Sequence, residues 1–232
     1  MEKFTLSNGV EIPAVGYGTY LTSEKDDGTV AAALAAGYRH FDTASFYGTE
    51  QALGDALKAA GVPREELFLT SKLWKDEMGY ENALAAFERS LQKLGTDYLD
   101  LYLIHWPRTD DLTAEWRQLD RDTWRALEEL YRAGRVRAIG VSNFLPHHLR
   151  NLMETAEIAP MVNQIEFHPG YPQTWNVEFC KAHGILPEAW SPLGRTRVLQ
   201  DERLAGIAAK YGKTVAQLCV RFALQCGVVP LP

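Results

Sequence analysis

The stretch LAAFERSLQKLGTDYLDLYLIH, residues 84–105, joins a helix pattern to a strand pattern. Its first part repeats apolar residues at the helical period: Leu84, Phe87, Leu91 and Leu94. Gly95 follows at the position of a helix C-cap, where a left-handed backbone favours glycine. The run Tyr98–His105 is almost wholly apolar, which predicts a buried β-strand. The segment therefore predicts one helix–strand unit of an α/β fold.

The same alternation of helix and strand patterns extends over the whole chain. Seven further short apolar runs are present: Ala14–Gly18, Arg39–Thr43, Leu67–Lys72, Val136–Ser142, Met161–Glu166, Leu186–Trp190 and Val228–Leu231. Segments with helical periodicity lie between them, and Gly61, Gly134 and Gly184 separate helix ends from the next strands. Such alternation predicts βαβ units and a parallel sheet. Eight strands without a break in composition predict one (β/α)8 TIM barrel domain over residues 1–232.

An N-terminal β-hairpin is expected before the first barrel strand. Phe4-Thr5-Leu6 and Val10-Glu11-Ile12 flank Ser7-Asn8-Gly9, and Asn-Gly is a favoured tight-turn pair because both residues tolerate positive φ. A complete barrel usually takes about 250 residues and seldom fewer than about 200. The 232 residues therefore accommodate the hairpin, seven βα units and the eighth strand, without a final helix or C-terminal tail.

An open, doubly wound sheet is the alternative architecture. It would require a glycine-rich phosphate turn after its first strand, but Leu21 stands where the third glycine of that motif belongs. Gly212-Lys213-Thr214 resembles the end of a P-loop. Five residues instead of four separate Gly206 from Gly212, however, and no strand pattern precedes them. Neither nucleotide motif is therefore supported.

Composition and charge exclude several classes of protein. The 232 residues are 46% hydrophobic and 23% charged, with a mean hydropathy of −0.23, as in ordinary globular proteins rather than disordered chains. No apolar run approaches the length of a membrane span, and the chain begins with no signal-peptide core, so we expect neither a membrane partner nor export. The formal net charge of −6 argues against nucleic acid as a partner.

The cysteines indicate a reduced compartment. Cys180, Cys219 and Cys226 are odd in number and lack metal-ligand spacing. We therefore expect thiols in the helical part of the core, no bound metal and a cytoplasmic location.

Polar side chains stand at the carboxyl ends of six consecutive predicted strands. These ends are His40-Phe41-Asp42-Thr43, Thr70-Ser71-Lys72, Leu103-Ile104-His105, Val141-Ser142-Asn143, Asn163-Gln164 and Ala189-Trp190-Ser191. Taken singly, each such residue is more often a helix cap, a solvated side chain or a packing residue. Taken together they predict a functional site, because active sites of barrels lie at the carboxyl ends of the strands.

The residue types at these ends suit proton donation to a carbonyl oxygen. Asp42 and Lys72 end adjacent strands, so we expect an ion pair in the barrel mouth. Tyr47 follows closely, and a lysine ammonium beside its hydroxyl would lower the tyrosine pKa from its usual value of about 10. His105 is placed to hydrogen-bond a substrate oxygen.

Such a site requires a source of electrons. No metal-ligand set and no activated serine or cysteine is evident, and a hydride from a nicotinamide cofactor would serve. Ser142, Asn143 and Gln164 carry hydroxyl and amide groups suited to holding a carboxamide. Trp190 offers a flat face for ring stacking.

These motifs resemble those of the aldo-keto reductases, barrel oxidoreductases that use NADPH. The resemblance runs from about Thr5 to the end of the sequence. Its motifs are GYRHFDTA at residues 37–44, YGTE at residues 47–50, the strand at residues 98–107, GVSNF at residues 140–144 and NQIE at residues 163–166.

The resemblance implies a catalytic tetrad of Asp42, Tyr47, Lys72 and His105. Tyr47 would be the general acid, with its pKa lowered by Lys72, which Asp42 holds in turn. His105 would orient the substrate, an aldehyde or small ketone. The substrate-binding wall would comprise Tyr20, Phe46, Trp74, His105 and Trp106.

The resemblance also assigns cofactor-binding residues, with NADPH expected and NADH as the second possibility. They are Gly18, Thr19 and Tyr20 beneath the cofactor, Ser142, Asn143 and Gln164 at the nicotinamide amide, Trp190 against the ring, and Ser191, Leu193 and Gly194 beside the pyrophosphate. Many members carry a tyrosine where Trp190 stands.

One departure from the family concerns the C-terminus. Members continue past the eighth strand into a Lys-Ser…Arg segment that binds the adenosine 2′-phosphate, and then into a last helix and a tail over the substrate. The sequence ends at Pro232, before that segment. We therefore expect weak NADPH binding by this chain, and the choice between NADPH and NADH stays open.

A nicotinamide-binding regulatory or sensor subunit is the alternative function. Such a subunit would keep the fold and part of the site without efficient turnover. The complete tetrad favours the enzyme, because a binding protein has less need of all four groups. Since many relatives are monomers, we expect a monomer with a small carbonyl compound as its partner.

Overall fold

The parallel sheet at the centre of the molecule contains all eight predicted barrel strands. The structure is a computed structural model that describes residues 2–22, 28–107 and 115–232. Its sheet comprises β3 (Tyr17–Gly18), β4 (His40–Asp42), β5 (Phe68–Leu73), β6 (Leu99–Ile104), β7 (Val136–Ser142), β8 (Val162–Glu166), β9 (Leu186–Trp190) and β10 (Val229–Leu231). Each strand pairs in parallel with the next, so the spatial order follows the chain.

The sheet closes between its first and last strands. Gly16 N donates to Pro230 O at 3.0 Å, and Gly18 N donates to Pro232 O at 3.3 Å. These bonds join β3 to β10 and turn the sheet into a barrel, which confirms the predicted fold class over the open doubly wound alternative.

Helices surround the barrel in the order that the sequence pattern predicts. They are α1 (Thr29–Ala35), α2 (Glu50–Ala60), α3 (Tyr80–Leu94), α4 (Glu115–Arg132), α5 (Pro146–Met153), α6 (Thr174–Ala182), α7 (Glu202–Lys210) and α8 (Val215–Gln225). In α3, Phe87, Leu91 and Leu94 are buried against the sheet, and Gly95 ends the helix with φ of 65°. The helical period in the sequence therefore identifies the face that packs on the barrel.

The N-terminal hairpin is confirmed as β1 (Lys3–Thr5) and β2 (Glu11–Pro13). Gly9 takes φ of 85° in the connecting turn, as the Asn-Gly pair predicts. The side chains of Leu6 and Ile12 are buried in the main core. The first barrel strand is shorter than the apolar run Ala14–Gly18, because Ala14 N bonds to the hairpin at Glu2 O instead of to a barrel strand.

Two details of the outer layer differ from the sequence pattern. In α7 the helical spacing of Leu204, Ile207, Ala208 and Tyr211 predicts one apolar face, but Ala208 is the buried member, whereas Ile207 is 41% exposed and Tyr211, just after the helix, is 71% exposed. Cys180 and Cys219 are buried in helices, but Cys226 is only half-buried at the end of α8. Burial raises the pKa of the Cys180 thiol to about 11, which keeps it protonated and unreactive.

Among the residues described, none of the helices has the length and apolar character that a membrane crossing requires. The assignment of residues 1–232 to one domain, the monomeric state and the cytoplasmic location stay predictions.

Substitution of Gly16, which lies at the seam between the first and last barrel strands, tests the closure of the barrel. A Cβ added there would lie 2.5 Å from Leu231 Cδ2 and 2.6 Å from His40 Nδ1. We expect Gly16→Ala to lower the free energy of unfolding by about 1–3 kcal/mol, because the seam between β3 and β10 has no room for a methyl group. Urea unfolding followed by circular dichroism measures the change.

The matched control is Gly206→Ala in α7, where a Cβ would meet nothing within 4 Å. Alanine favours the helix over glycine, so this variant should gain about 0.5–1 kcal/mol. Equal stability of the two variants would contradict the tight seam.

Candidate active site

Several of the polar side chains predicted at the strand ends line one cavity of about 220 Å³ at the carboxyl end of the barrel. Its aromatic side is formed by Tyr20, Phe46, Tyr47, Trp74, His105 and Trp106. Its polar side is formed by Ser142, Asn143, Gln164 and Trp190. The structure thus brings together residues that are up to 170 positions apart in the chain, from Tyr20 to Trp190.

Lys72 lies beneath this cavity as a fully buried cation. Its Nζ donates to Asp42 Oδ1 at 2.5 Å, to Thr43 O at 3.0 Å and to the Tyr47 hydroxyl at 3.3 Å, so each of its three hydrogens has an acceptor. Burial acts to lower the pKa of Lys72, but the Asp42 carboxylate and the Tyr47 hydroxyl outweigh it and hold that pKa above its ordinary value. The lysine is therefore an ammonium at neutral pH.

Tyr47 reaches Lys72 from a 3-10 turn, Ser45–Tyr47, that directly follows β4. Its pKa is raised, because burial penalises the phenolate and Asp42 adds to that effect, while Lys72 opposes both. The expectation that Lys72 brings the tyrosine pKa below its usual value is therefore wrong for this structure, although the lysine acts in the expected direction. Tyr47 keeps its proton at neutral pH.

His105 follows β6 and stands at the junction of the polar and aromatic sides. Its ring lies edge-on to Tyr47, with centroids 5.4 Å apart, and edge-on to Trp74 at 4.9 Å. Burial and the Lys72 charge lower its pKa to about 2, so the imidazole is neutral. A neutral imidazole presents one N–H donor and one acceptor. Asn143 Nδ2 donates to the His105 carbonyl at 2.9 Å and fixes the backbone behind the ring.

The amide of Gln164 has a single possible orientation. Its Nε2 donates to Asp42 Oδ2 at 2.8 Å and to Glu188 Oε2 at 2.9 Å, which uses both amide hydrogens. Among the residues described, both hydrogen bonds of the amide are made by Nε2, none is made to Oε1, and Gln164 lines the cavity. The site therefore offers an acceptor to an N–H of a ligand, as the carboxamide of a nicotinamide would require.

Asn143 and Trp190 form the rest of the polar side. Asn143 takes φ of 62°, and its Oδ1 accepts a hydrogen bond from Trp190 Nε1 at 2.8 Å. Its Nδ2 also donates to Ser142 Oγ at 3.0 Å. The indole of Trp190 is thereby fixed at the cavity wall, where its ring can stack on a flat ligand.

Comparison with known proteins is consistent with this geometry and decides the family. The model of the aldo/keto reductase family matches residues 14–232, nearly the whole chain. The chain belongs to the aldo/keto reductase family. As a member it is an NAD(P)H-dependent oxidoreductase.

Individual relatives support the assignment of this chain to the family. The glyoxal reductase of Bacillus subtilis is 52% identical over 229 residues, which cover 98% of this chain and 80% of that protein. An aldo/keto reductase from Brucella melitensis superposes with a TM-score of 0.91 at 44% identity, covering 100% of this chain and 87% of that one. A Bombyx mori aldo-keto reductase in complex with NADP superposes with a TM-score of 0.89 at 35% identity, covering 100% and 82%.

Some predicted site residues of the reductase do not line the cavity. Thr19 is buried, and its Oγ1 lies 3.0 Å from Thr49 Oγ1, so its side chain holds two loops together. Gly18 belongs to the closing seam of the barrel. The remaining three, Ser191, Leu193 and Gly194, lie on the loop after β9 outside the cavity lining. Their contacts with a cofactor stay predictions.

Sequence reasoning missed Arg195, which borders the cavity. Its guanidinium carbon lies 5.7 Å from the centre of the Trp190 ring, and its backbone takes φ of 51°. A cation in the loop after the seventh barrel strand was a signal available in the sequence, since phosphate groups frequently bind there in barrels.

Sequence reasoning also missed Glu77, which connects the two loops of the aromatic side. Its Oε2 accepts from Ser45 Oγ at 2.6 Å and from Trp74 N at 2.9 Å, and its Oε1 accepts from Arg89 at 2.9 Å. Burial acts to raise the pKa of Glu77, but these hydrogen bonds outweigh it and lower that pKa. The carboxylate therefore ties the turn of Tyr47 to Trp74.

The neutral state of His105 predicts a pH dependence of stability. Below about pH 6.5 the unfolded chain binds a proton on this imidazole, whereas the folded chain binds it only near pH 2. Acid therefore favours unfolding, and His105 should contribute up to about 1.4 kcal/mol per pH unit to the loss between pH 6 and pH 4. We expect His105→Gln to show a correspondingly shallower fall in unfolding free energy over that range.

Urea unfolding at pH 4, 5, 6 and 7 measures this slope. His183→Gln is the control, because that histidine is exposed on the surface and should leave the slope unchanged. A His105→Gln slope equal to that of the parent would show that the buried imidazole is protonated in the fold.

Proposed function

We propose that the chain reduces aldehydes and small ketones to alcohols with NADPH, and that Tyr47 is the general acid. The observation that carries this proposal is the hydroxyl of Tyr47, held 3.3 Å from the Lys72 ammonium at a cavity that His105 and Gln164 also line. One proton donor, one cation behind it and one acceptor for an amide are the groups that such a reduction requires.

Tyr47 donates the proton that the new alcohol oxygen requires. Its raised pKa keeps the hydroxyl protonated until negative charge develops on the carbonyl oxygen. As the proton leaves, the Lys72 ammonium stabilises the tyrosinate through its existing hydrogen bond. Asp42 keeps Lys72 charged and in place throughout.

His105 orients the carbonyl group towards Tyr47. Because its imidazole is neutral, it can donate one N–H to the carbonyl oxygen without competing as an acid. Its edge-on packing against Tyr47 and Trp74 holds the ring in the cavity wall. A carbonyl oxygen between the two donors would have its charge stabilised from both sides.

The residues of the polar side fit a nicotinamide cofactor. When bound, the reduced nicotinamide supplies a hydride to the carbonyl carbon. Gln164 Oε1 would accept from the carboxamide, Ser142 and Asn143 would contact the same group, and Trp190 would stack on the ring. NADPH is favoured over NADH because a similar Bombyx mori structure contains NADP.

The aromatic side of the cavity favours uncharged substrates. Phe46 and Trp74 stack at a centroid distance of 3.9 Å, and Trp106 is exposed beside them. These rings offer an apolar surface to a substrate. A similar protein from Bacillus subtilis is named glyoxal reductase, which places small dicarbonyl compounds among the first substrates to test.

Substitution of the proposed acid tests the function. We expect Tyr47→Phe to reduce kcat for aldehydes by about 10²–10⁴-fold, because no other hydroxyl at the cavity contacts the Lys72 ammonium within the part of the chain described. NADPH oxidation, followed at its absorbance band with glyoxal and a panel of aliphatic and aromatic aldehydes, measures the rate. Binding of NADPH should change little.

The control is Tyr38→Phe, which removes a hydroxyl from a half-buried tyrosine packed against Tyr17 outside the cavity. It should turn over like the parent. Equal rates for Tyr47→Phe and the parent would exclude Tyr47 as the acid. Tight NADPH binding with no turnover of any carbonyl by the parent would instead favour a regulatory or sensor subunit.

A further inference from the structure

Glu188 is a buried acid directly below the polar side of the cavity. It lies on β9, two residues before Trp190, and its side chain is fully buried. Residues two apart on a strand point to the same side, so Glu188 and Trp190 both point into the barrel. In the parallel register, Gln164 on β8 is the partner of Glu188. The two side chains therefore lie side by side in one layer of the barrel interior.

Glu188 and Asp42 together fix the plane of the Gln164 amide. A single hydrogen bond from Nε2 to Asp42 would leave the amide free to rotate about that bond. The second bond, to Glu188 Oε2 at 2.9 Å, comes from another strand and removes this freedom. Gln164 Oε1 is then the atom of the amide left for a ligand in the cavity.

The groups around Glu188 favour its neutral form. Asp42 and His40 on β4, Lys72 on β5 and Gln164 on β8 are the polar groups near its carboxyl. Burial and the Asp42 charge raise the pKa of Glu188 to about 8, against the opposing effects of Gln164 and Lys72. Because Lys72 is already matched by Asp42, a protonated Glu188 leaves this layer without net charge.

We propose that Glu188 is a positioning residue, which fixes the Gln164 amide so that Oε1 receives the amino group of a nicotinamide carboxamide. The inference rests on the proposed function and extends it to a residue that touches neither substrate nor cofactor. A nicotinamide analogue without the amino group has no N–H to give to Gln164 Oε1, so Glu188 cannot contribute to its binding.

Binding of two cofactors to four proteins tests this consequence. The proteins are the parent chain, Glu188→Leu, Glu188→Gln and Glu128→Leu, and the ligands are NADPH and the reduced 3-acetylpyridine analogue of NADP, in which a methyl ketone replaces the carboxamide. Dissociation constants at pH 7 come from calorimetric titration, with no turnover required. Glu128 is the matched control because it is a buried acid on the outer helix α4, bonded to Glu157 N and Ile158 N.

We expect Glu188→Leu to weaken NADPH binding by about tenfold, the equivalent of one lost hydrogen bond. The same variant should bind the acetyl analogue within about twofold of the parent. Glu188→Gln should bind both ligands like the parent, because its carbonyl oxygen accepts the same bond and it is neutral like the protonated acid. Glu128→Leu should also match the parent for both ligands.

Three results would overturn the assignment: undiminished NADPH binding by Glu188→Leu, an equal loss for both ligands, or a tenfold loss with Glu188→Gln. If Glu188→Leu does not fold, Glu188→Met repeats the test with an unbranched side chain, and the Glu188→Gln result still decides. A parent chain that binds neither ligand would overturn the proposed function itself, and the role of Glu188 with it.

Discussion

The buried ion pair of Lys72 and Asp42 is the interaction on which the rest of the site depends. Asp42 uses one carboxylate oxygen for Lys72 and the other for Gln164. The pair thus connects Tyr47, the proposed proton donor, through Lys72 to the Gln164 amide at the cavity. Loss of either partner would leave an uncompensated charge in the barrel interior, which is far more costly than loss of a surface ion pair.

The low polarity of the barrel interior determines the charge of every group near this pair. His40 and Glu188 both titrate in water, yet burial lowers the pKa of His40 to about 3 and raises that of Glu188 to about 8. At neutral pH both are uncharged, and the ion pair is the charged feature of this layer. In the proposed reaction, a layer with no net charge would leave the developing charge on the reacting oxygen to be stabilised by Tyr47, Lys72 and His105.

The fold could be predicted from the sequence because each strand and each helix is identifiable from the pattern of its own short segment. All eight barrel strands lie where the pattern predicts, and polar groups from several of their carboxyl ends line one cavity. Sequence reasoning failed where the outcome depends on contacts between distant segments. The pKa of Tyr47 is raised because burial outweighs Lys72, and no residue spacing reports the degree of burial. Glu77 and Glu188 were missed because single acids in a loop and in a strand show no motif.

The Glu77 carboxylate connects two segments of the chain at the rim of the cavity. It bonds at once to the turn that carries Phe46 and Tyr47 and to the backbone of Trp74. The aromatic residues Phe46 and Trp74 at the cavity and the proposed proton donor Tyr47 therefore share one support. Evolution of a new substrate range in this barrel has fewest side effects at positions this carboxylate does not hold, such as Trp106. Changes at Trp74 or Ser45 would carry a cost in catalysis.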